Sequence, residues 1–338
     1  MPFSTWIARA VSFLAPFILT AAAACRPAAI EPTRWQSTLL SDHPLVGRIY
    51  DVRAGRMVDE AALRAALPKA DFVLLGETHD NPDHHELEAR LIRVLTAAGR
   101  RPAAAFEMLD AELQPAVDET VLRAPHDPDA LARAVGWKRS GWPDFALYRP
   151  VFLAALDAGL QIVAANLPRR QAHAVVERGL GALDPAAREI LEHAGPLTTE
   201  AAASLRAEMA ESHCGTLPES ALDDLVLMQR ARDAELAERM LTAQGRGAVL
   251  VAGAGHVRRD RGVPLDLARE APSRSSIAVA FLEVAPELTD PKAYSAAFST
   301  ETLPFDYVLF TPQEERQDPC AELRRDHPRL PEAPSISL

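Results

Sequence analysis

The chain has 338 residues, of which 48% are hydrophobic and 25% charged, and its formal net charge at pH 7 is −11. This length suffices for one large or two modest domains with a buried core, and the composition is that of a globular protein. The acidic balance argues against a general nucleic-acid binder, which would carry a basic surface. Three cysteines are too few for a disulfide scaffold or a four-thiolate zinc site.

Residues 1–24 have the pattern of a secretory signal. Arg9 supplies a positive charge, and residues 11–24 form an apolar run that is short for a transmembrane helix and ends in small residues. Cys25 directly follows Ala22, Ala23 and Ala24 and resembles the lipid-modified cysteine of a bacterial lipobox, although Ala22 stands where leucine is usual. The alternative is a plain signal peptide with Cys25 incidental.

Both interpretations predict an exported protein. A lipid on Cys25 would tether the protein to a membrane by its end. Because Arg26 rather than aspartate follows the cysteine, we expect the outer membrane, with the protein facing the periplasm. Cys214 and Cys320 could pair in an oxidising periplasm, but the sequence does not say whether they are close.

The remaining sequence predicts an α/β fold. Residues 25–45 are polar and proline-bearing and are predicted to be a tether, and residues 49–58 predict a small hairpin. Apolar runs predict further strands, and helical periodicity between several of them predicts a mostly parallel sheet flanked by helices. These strands are expected at 71–76, 102–108, 161–166, 247–253, 275–284 and 305–310.

One domain is expected over residues 46–310. Residues 167–244 are rich in alanine, leucine and charge and predict a helical subdomain inserted before the fourth main strand. Residues 311–338 are charged and proline-bearing and predict a loose tail.

Polar residues follow four of the predicted strands at their carboxyl ends, where ligands bind in open α/β sheets. Four such strand ends at one edge predict a polar cleft, whereas any one of these residues alone could be a structural hydrogen-bonding group. The two glycines beside His256 would let a ligand approach the backbone closely. The strand-end residues are Glu77 and His79; Glu107; Asn166 and Arg169; and His256 and Arg258.

His84 and His85 lie in the first turn of a helix predicted over 81–99. A helix N-terminus disfavours imidazolium, so neutral rings suited to metal binding or proton acceptance are expected. Surface or capping roles are the alternative for these histidines. The alternative for Asn166 is a helix cap, and the alternative for Arg258 is a place in a solvated turn. No nucleophile elbow, phosphate-binding loop or C-x-x-C motif occurs.

Five motifs in order resemble the ChaN-like family of haem-binding lipoproteins. They are GETHDNPDHH (76–85), AFEM (105–108), GWPDFALYRPVF (141–152), AANLPR (164–169) and VAGAGHVRRDRGVP (251–264). Gln229 and the Arg232–Asp233 pair also match the pattern. The resemblance covers roughly residues 46–285 and implies a parallel-sheet α/β fold, lipid anchorage and a role in haem or iron acquisition.

The wider superfamily includes Tiki-type metalloproteases and erythromycin-esterase-like hydrolases. Resemblance to it makes Glu77, His79, Glu107 and His256 the candidates for a catalytic centre, with Glu77, His79 and His256 as candidate ligands of a divalent metal. The family's haem iron is thought to be held by a tyrosine, with the haem shared across a homodimer. Tyr148 lies in a matching motif, although it could simply pack a helix.

Two functions therefore stay open. The first is an exported, lipid-anchored protein that binds haem or another iron-bearing small molecule, with Tyr148, His84, His85, Asn166, Arg169 and Arg258 as candidate ligand-binding residues. The second is a hydrolase in which His79 or His256 acts as a base or a metal ligand and activates water. Haem needs apolar walls, whereas the strand ends are polar, so the two sites need not coincide.

Overall fold

A computed structural model describes residues 34–243, 247–318 and 320–321. The predicted signal segment and Cys25 lie outside these residues. Eight strands form one sheet within the described part of the chain. They are β1 (Ile49–Asp51), β2 (Arg56–Val58), β3 (Phe72–Glu77), β4 (Ala103–Asp110), β5 (Ile162–Asn166), β6 (Ala248–Gly253), β7 (Ser276–Glu283) and β8 (Tyr307–Thr311).

The strand order is β2-β1-β8-β7-β3-β6-β4-β5. The six strands from β8 to β5 are parallel, and the β1–β2 hairpin adds antiparallel strands at the β8 edge. The predicted hairpin, the six strands and the mostly parallel α/β fold are thus confirmed. β3 lies in the interior of the sheet between β6 and β7, so its carboxyl end is central to the edge where ligands bind.

Helices connect the parallel strands. The segment 167–244 that was predicted to be helical holds four α-helices, α6 to α9, which run between β5 and β6. The α-helices are α1 (Glu60–Ala66), α2 (Pro82–Ala97), α3 (Gln114–Arg123), α4 (Pro128–Ala134), α5 (Phe145–Asp157), α6 (Arg169–Arg178), α7 (Pro185–Ala194), α8 (Thr199–Ser212), α9 (Glu219–Thr242) and α10 (Val263–Glu270). Short 3₁₀ helices occupy Leu67–Lys69, Ala111–Leu113, Trp137–Arg139, Leu180–Ala182 and Pro291–Phe298.

The apolar core has two layers, one on each face of the sheet. Side chains alternate between faces along a strand, so Leu74 of β3 packs in the layer with α9 and α10, whereas Val73 and Leu75 pack in the layer with α2 and α5. By the same alternation, Glu77 at the end of β3 points to the side of α2 and α5. Two helices thus cover the first polar residue of the predicted site.

The structure differs from expectation at both ends of the domain. In the segment predicted as a tether, the backbone N–H groups of Gln36 and Ser37 donate to the carboxylate of Asp83 at 2.8 and 2.9 Å. Leu39 forms an isolated antiparallel bridge with Gln313, which follows β8. These contacts bind the segment 34–45 to the domain. These polar residues are ordered because they satisfy a buried carboxylate, which composition alone does not reveal.

The segment predicted as a loose tail is also bound, at least over its first part. Thr311 ends β8, and the guanidinium of Arg316 pairs with Asp80 at 2.6 Å and with buried Glu283 at 2.7 Å. Cys320 forms a disulfide with Cys214 of the helical insert, with 5.7 Å between the Cα atoms. Two carboxylates and a covalent link therefore order residues 311–318 and 320–321. No helix within the described ranges is long and apolar enough to cross a membrane.

Candidate functional site

The carboxyl ends of three central strands bring four of the predicted residues together. Glu77 ends β3 and is in register with Gly253, which ends β6. Glu107 lies in β4 where the register against β5 shifts between Phe106 and Asp110. The turn after β6 packs tightly on β3, because a Cβ at Gly76 would lie only 2.3 Å from a methyl carbon of Val257. This close approach holds the loop that carries His256 against the strand that carries Glu77.

Glu77 is a buried carboxylate that organises one half of the site. Its Oε1 accepts hydrogen bonds from the hydroxyl of Tyr148 and from Nδ1 of His79, both at 2.8 Å. Burial raises the pKa of this acid, but the charges and hydrogen bonds of His85 and His79 outweigh it and lower the pKa below its usual value. Glu77 is therefore ionised at neutral pH and fixes the tautomer and orientation of His79.

His256 and Glu107 form the other half. Nδ1 of His256 lies 2.6 Å from Oδ1 of Asp233 in α9, and its Nε2 lies 3.3 Å from Oε1 of Glu107. Burial disfavours the imidazolium, yet the charges of Glu107 and Asp233 raise the pKa of His256 to about 10. Burial likewise opposes the charge on Glu107, but His256, His79 and the N–H of Gly253 lower its pKa to about 2. The pair is ionic at neutral pH.

His79 is the member of this group that reaches the surface, with 34% of its side chain exposed. Its Nε2 lies 3.8 Å from Oε2 of Glu107, too far for a hydrogen bond. The ring meets Trp142 edge to face, with 4.8 Å between centroids. A Cβ at Gly253 would lie 3.0 Å from this Nε2, so glycine makes room for the ring. His79 is thus partly exposed, a carboxylate holds its Nδ1, and its Nε2 lies between Gly253 and Glu107 without a hydrogen bond.

The two histidines of α2 have buried positions. The N–H of Thr78 donates to Nδ1 of His84, and Nε2 of His84 lies 2.9 Å from Oγ1 of Thr311. Burial holds the pKa of His84 well below its usual value, so this ring is neutral. His85 lies under the ring of Tyr148, with 4.1 Å between centroids. The expected neutral state is present for His84, but its ring connects two strand ends and has no nitrogen left for a ligand.

Tyr148 is a buried hydrogen-bonding residue. Its ring is fully buried, and its hydroxyl donates to Glu77 and lies 3.2 Å from the carbonyl oxygen of His79. Burial and the charge of Glu77 raise its pKa far above the usual value for a phenol. This geometry corresponds to the packing alternative for Tyr148, because the hydroxyl is already engaged and a phenolate is strongly disfavoured.

The other expected ligand-binding residues lie apart from this group. Asn166 ends β5 and is buried, and its Oδ1 has no hydrogen-bond partner. Arg169 donates to the carbonyl of Ser140 at the surface. Arg258 is only 1% exposed and donates to Asp260, Ser204 and Phe298, so the solvated-turn alternative is wrong for this residue. Its guanidinium instead joins the insert to the sheet.

The residues whose positions would allow them to hold a metal ion together differ from the predicted set. Three residues in the described part of the chain bring ligand atoms within 4.8 Å of one another, and they are Glu77, His85 and Glu88. The predicted set of Glu77, His79 and His256 is not such a group, because both histidines flank Glu107 instead. Glu88 carried no sequence hypothesis. Glu88 lies three residues after His85 on the buried face of α2, and this spacing is the sequence signal that places the two side chains together.

Asp233 is the second residue that strand-end reasoning did not find. It belongs to α9, far from any strand end, and was noted only as part of a family pattern. The amide nitrogen of Gln229, one helical turn earlier, also lies 3.1 Å from Nδ1 of His256. Helix α9 therefore contributes two side chains to the site, in addition to those at the strand ends.

A cavity of about 940 Å³, lined by aromatic and charged side chains, opens beside Trp142. Trp137, Trp142 and Phe145 supply its aromatic wall, and Trp142 is the residue that also contacts His79. Lys138 and Arg139 are exposed at its rim. An aromatic wall with nearby cations suits a flat apolar ligand that carries anionic groups.

A known protein family and several solved structures are similar to this chain. A family described as haem-binding uptake, Tiki superfamily, ChaN matches residues 63–267, more than half of the chain. The structure of ChaN from Campylobacter jejuni, described by its cofacial haem binding, is 22% identical with a TM-score of 0.60, covering 77% of this chain and 95% of that one. This likeness shows a shared fold.

Two other structures align more distantly. The type III effector HopBA1 is 14% identical with a TM-score of 0.40, and the alignment covers 75% of this chain and 92% of that one. A mutant erythromycin esterase EreC in its open conformation is 18% identical with a TM-score of 0.38, covering 87% of each chain. Comparison with curated proteins gave no significant match.

Proposed function

Because the chain belongs to the ChaN family of haem-binding uptake proteins in the Tiki superfamily, we propose that it binds haem through His79 and serves in haem or iron acquisition. The observation that carries the proposal is the partly exposed ring of His79, whose Nδ1 is held by Glu77 and whose Nε2 lies 3.8 Å from Glu107, beyond hydrogen-bond distance. A carboxylate on one nitrogen of a histidine is the usual arrangement behind a metal-binding second nitrogen.

Tyrosine does not fit the role of iron ligand in this chain. Tyr148 donates its hydroxyl to Glu77, and Tyr50 and Tyr294 are buried away from the cavity. Tyr307 lies in β8, which four strands separate from β5 in the sheet. Histidine, by contrast, is a common axial ligand of haem iron. The haem would supply the redox-active metal that the protein carries.

The cavity beside Trp142 fits the rest of a haem molecule. Its volume of about 940 Å³ can hold a porphyrin, and the partly exposed rings of Trp142 and Phe145 offer aromatic surface for the macrocycle. Lys138 and Arg139 line the cavity and would supply cations for the two carboxylates of a haem. Trp142 joins the two parts of the site because it lines the cavity and contacts His79.

Export and membrane attachment are part of the proposal. The N-terminal sequence supports a lipoprotein signal with Cys25 as the lipidated residue, and a Cys214–Cys320 disulfide suits the oxidising periplasm. The outer membrane, facing the periplasm, remains our expectation for its location. The cofacial haem binding described for the Campylobacter jejuni protein leads us to include a homodimer that brings two haems together.

Titration with haemin tests the function. Wild-type protein should give a saturable Soret shift with one haem per chain, and His79→Ala should weaken binding at least tenfold and change the Soret position. His126→Ala is the matched control, because His126 is an exposed histidine outside the site. Equal haem affinity and identical spectra for His79→Ala and wild type would exclude His79 as the ligand, and absence of saturable binding would exclude the function.

A hydrolase is the second candidate, supported by the buried Asp233–His256–Glu107 arrangement. An imidazole held between two carboxylates can relay protons, and His79 is the histidine that faces solvent. A panel of ester and amide substrates tests this candidate. His256→Ala should abolish any hydrolysis found for wild type, and unchanged rates in a folded variant would exclude an acid–base role for His256.

A further inference from the structure

Three side chains form a closed acidic pocket between β3 and α2. Glu77 ends the strand, and His85 and Glu88 follow on one face of the helix, one turn apart. Each is at most 1% exposed, and one ligand atom from each lies within 4.8 Å of the others. Oε2 of Glu77 and Nε2 of His85 are 2.7 Å apart. The group is separate from Glu107 and His256, because it lies on the α2 side of Glu77.

Three polar atoms of this group lack partners. Oε2 of Glu77 and Nε2 of His85 pair with each other at 2.7 Å, whereas Nδ1 of His85 and both carboxylate oxygens of Glu88 are buried without a hydrogen bond. Buried carboxylates are almost always hydrogen-bonded, paired or bound to a cation, since an uncompensated one is very costly. The three unpaired atoms beside the Glu77–His85 pair therefore need a common explanation.

A shared proton is the simplest alternative. Burial and the charge of Glu77 raise the pKa of Glu88 well above its usual value, which would allow a neutral Glu88 to donate to Glu77. That hydrogen bond and the Glu77–His85 pair together still leave one oxygen of Glu88 and Nδ1 of His85 without a partner. A cation in the middle contacts all three side chains at once. Its positive charge also offsets two carboxylates that burial has brought together.

Hydrogen bonds hold the carboxylate of Glu77 in one orientation, as is usual for a metal ligand. Its Oε1 accepts hydrogen bonds from Tyr148 and His79, so its Oε2 is directed toward His85. The ring of Tyr148 covers His85 and closes the pocket from solvent. Two carboxylates and one imidazole are donors that suit divalent first-row cations such as Zn²⁺, Mn²⁺ and Fe²⁺.

We propose that Glu77, His85 and Glu88 bind one divalent first-row cation. The ion lies behind the carboxylate that orients His79, so its occupancy fixes the position of that histidine. The site uses neither the aromatic cavity nor an open coordination position at the surface. Its existence does not depend on haem binding.

Metal content and binding test the proposal in the purified protein. Elemental analysis without chelator should find about one zinc, manganese or iron ion per chain. After chelator treatment, Zn²⁺ measured by titration calorimetry should bind once with a Kd below about 1 μM and raise Tm by several degrees. Co²⁺ should give visible d–d absorption from a site of low symmetry. The absence of one-equivalent binding in folded wild-type protein would overturn the proposal.

Glu88→Gln locates the ion. It keeps the side-chain volume and removes a ligand charge, so Zn²⁺ affinity should fall at least 100-fold, whereas Glu86→Gln on the solvent side of the same helix should bind as wild type. A folded Glu88→Gln that retains wild-type affinity overturns the proposal. Loss of the ion in His256→Ala with retention in Glu88→Gln also overturns it. If Glu88→Gln does not fold, X-ray absorption of zinc-loaded wild type decides, with one imidazole among light-atom ligands expected and two or more contradicting the site.

Discussion

Nδ1 of His256 lies 2.6 Å from Oδ1 of Asp233, which joins the loop after β6 to helix α9 across the edge of the sheet. The two residues are 23 positions apart in sequence, yet both are buried at 5% exposure or less. The helical insert therefore takes part in the site directly. Its position depends on an ion pair as well as on apolar packing.

This pair predicts a pH-dependent stability. The pKa of His256 is raised from 6.5 to about 10, so the stability it contributes is fully present below pH 6.5 and is lost as the pH rises toward 10. The free energy of unfolding, measured by urea titration, should fall across that range. His256→Gln should flatten the fall and cost about 3–5 kcal/mol at pH 7, because it leaves two buried carboxylates unpaired. An equally steep fall in the variant would contradict this assignment.

Gly253 offers a second test, since it makes room for His79. Gly253→Ala would put a Cβ 3.0 Å from Nε2 and 3.3 Å from Cε1 of that ring, so the ring must move by a few tenths of an ångström. We expect haem affinity to fall about tenfold with little loss of stability, on the general effect of misplacing a metal ligand. Gly181→Ala is the control, because its Cβ would meet nothing within 4 Å. Haem binding unaffected by Gly253→Ala would argue that His79 tolerates displacement and is not the ligand.

Trp142 links the aromatic cavity with His79, so its loss should weaken haem binding. Trp142→Ala removes stacking worth about 1 kcal/mol or more beyond area burial, which corresponds to a five- to tenfold increase in Kd. The fitting comparison is Leu122→Ala, since Leu122 is an apolar side chain that is 85% exposed on α3 and outside the cavity. Equal Kd values for haemin in the two variants would show that the cavity is not the haem site.

The Cys214–Cys320 disulfide should stabilise the protein substantially. It closes a sequence separation of 106 residues, for which the chain-entropy treatment gives about 4–5 kcal/mol. Reduction, or the Cys320→Ser variant, should lower the free energy of unfolding by about 2–5 kcal/mol in urea titrations. Mass spectrometry after alkylation without reductant should leave both thiols unlabelled. Labelling of both in protein purified from the periplasm would contradict the link.

Strand ends were predictable from sequence because apolar runs and the carboxyl-edge rule depend on local pattern. Glu77, Glu107 and His256 meet there for that reason. Asp233 was not predictable in the same way, since the face that α9 turns toward the sheet depends on packing of the whole insert. Glu88 lies on the buried face of α2, whereas a glutamate in a helix is ordinarily expected at the surface. Arg316 shows the same limit, because two distant carboxylates order a segment whose polarity predicts a loose tail.

The contact of Gln36 and Ser37 with Asp83 sets the maximum distance between the domain and a lipid attached to Cys25. Asp83 lies in the first turn of α2, beside the sheet edge that carries His79. An extended chain from residue 25 to residue 36 reaches at most about 40 Å. With a lipid on Cys25, this edge would stay within that radius of the bilayer, so ligand exchange would be restricted to partners at the same membrane surface.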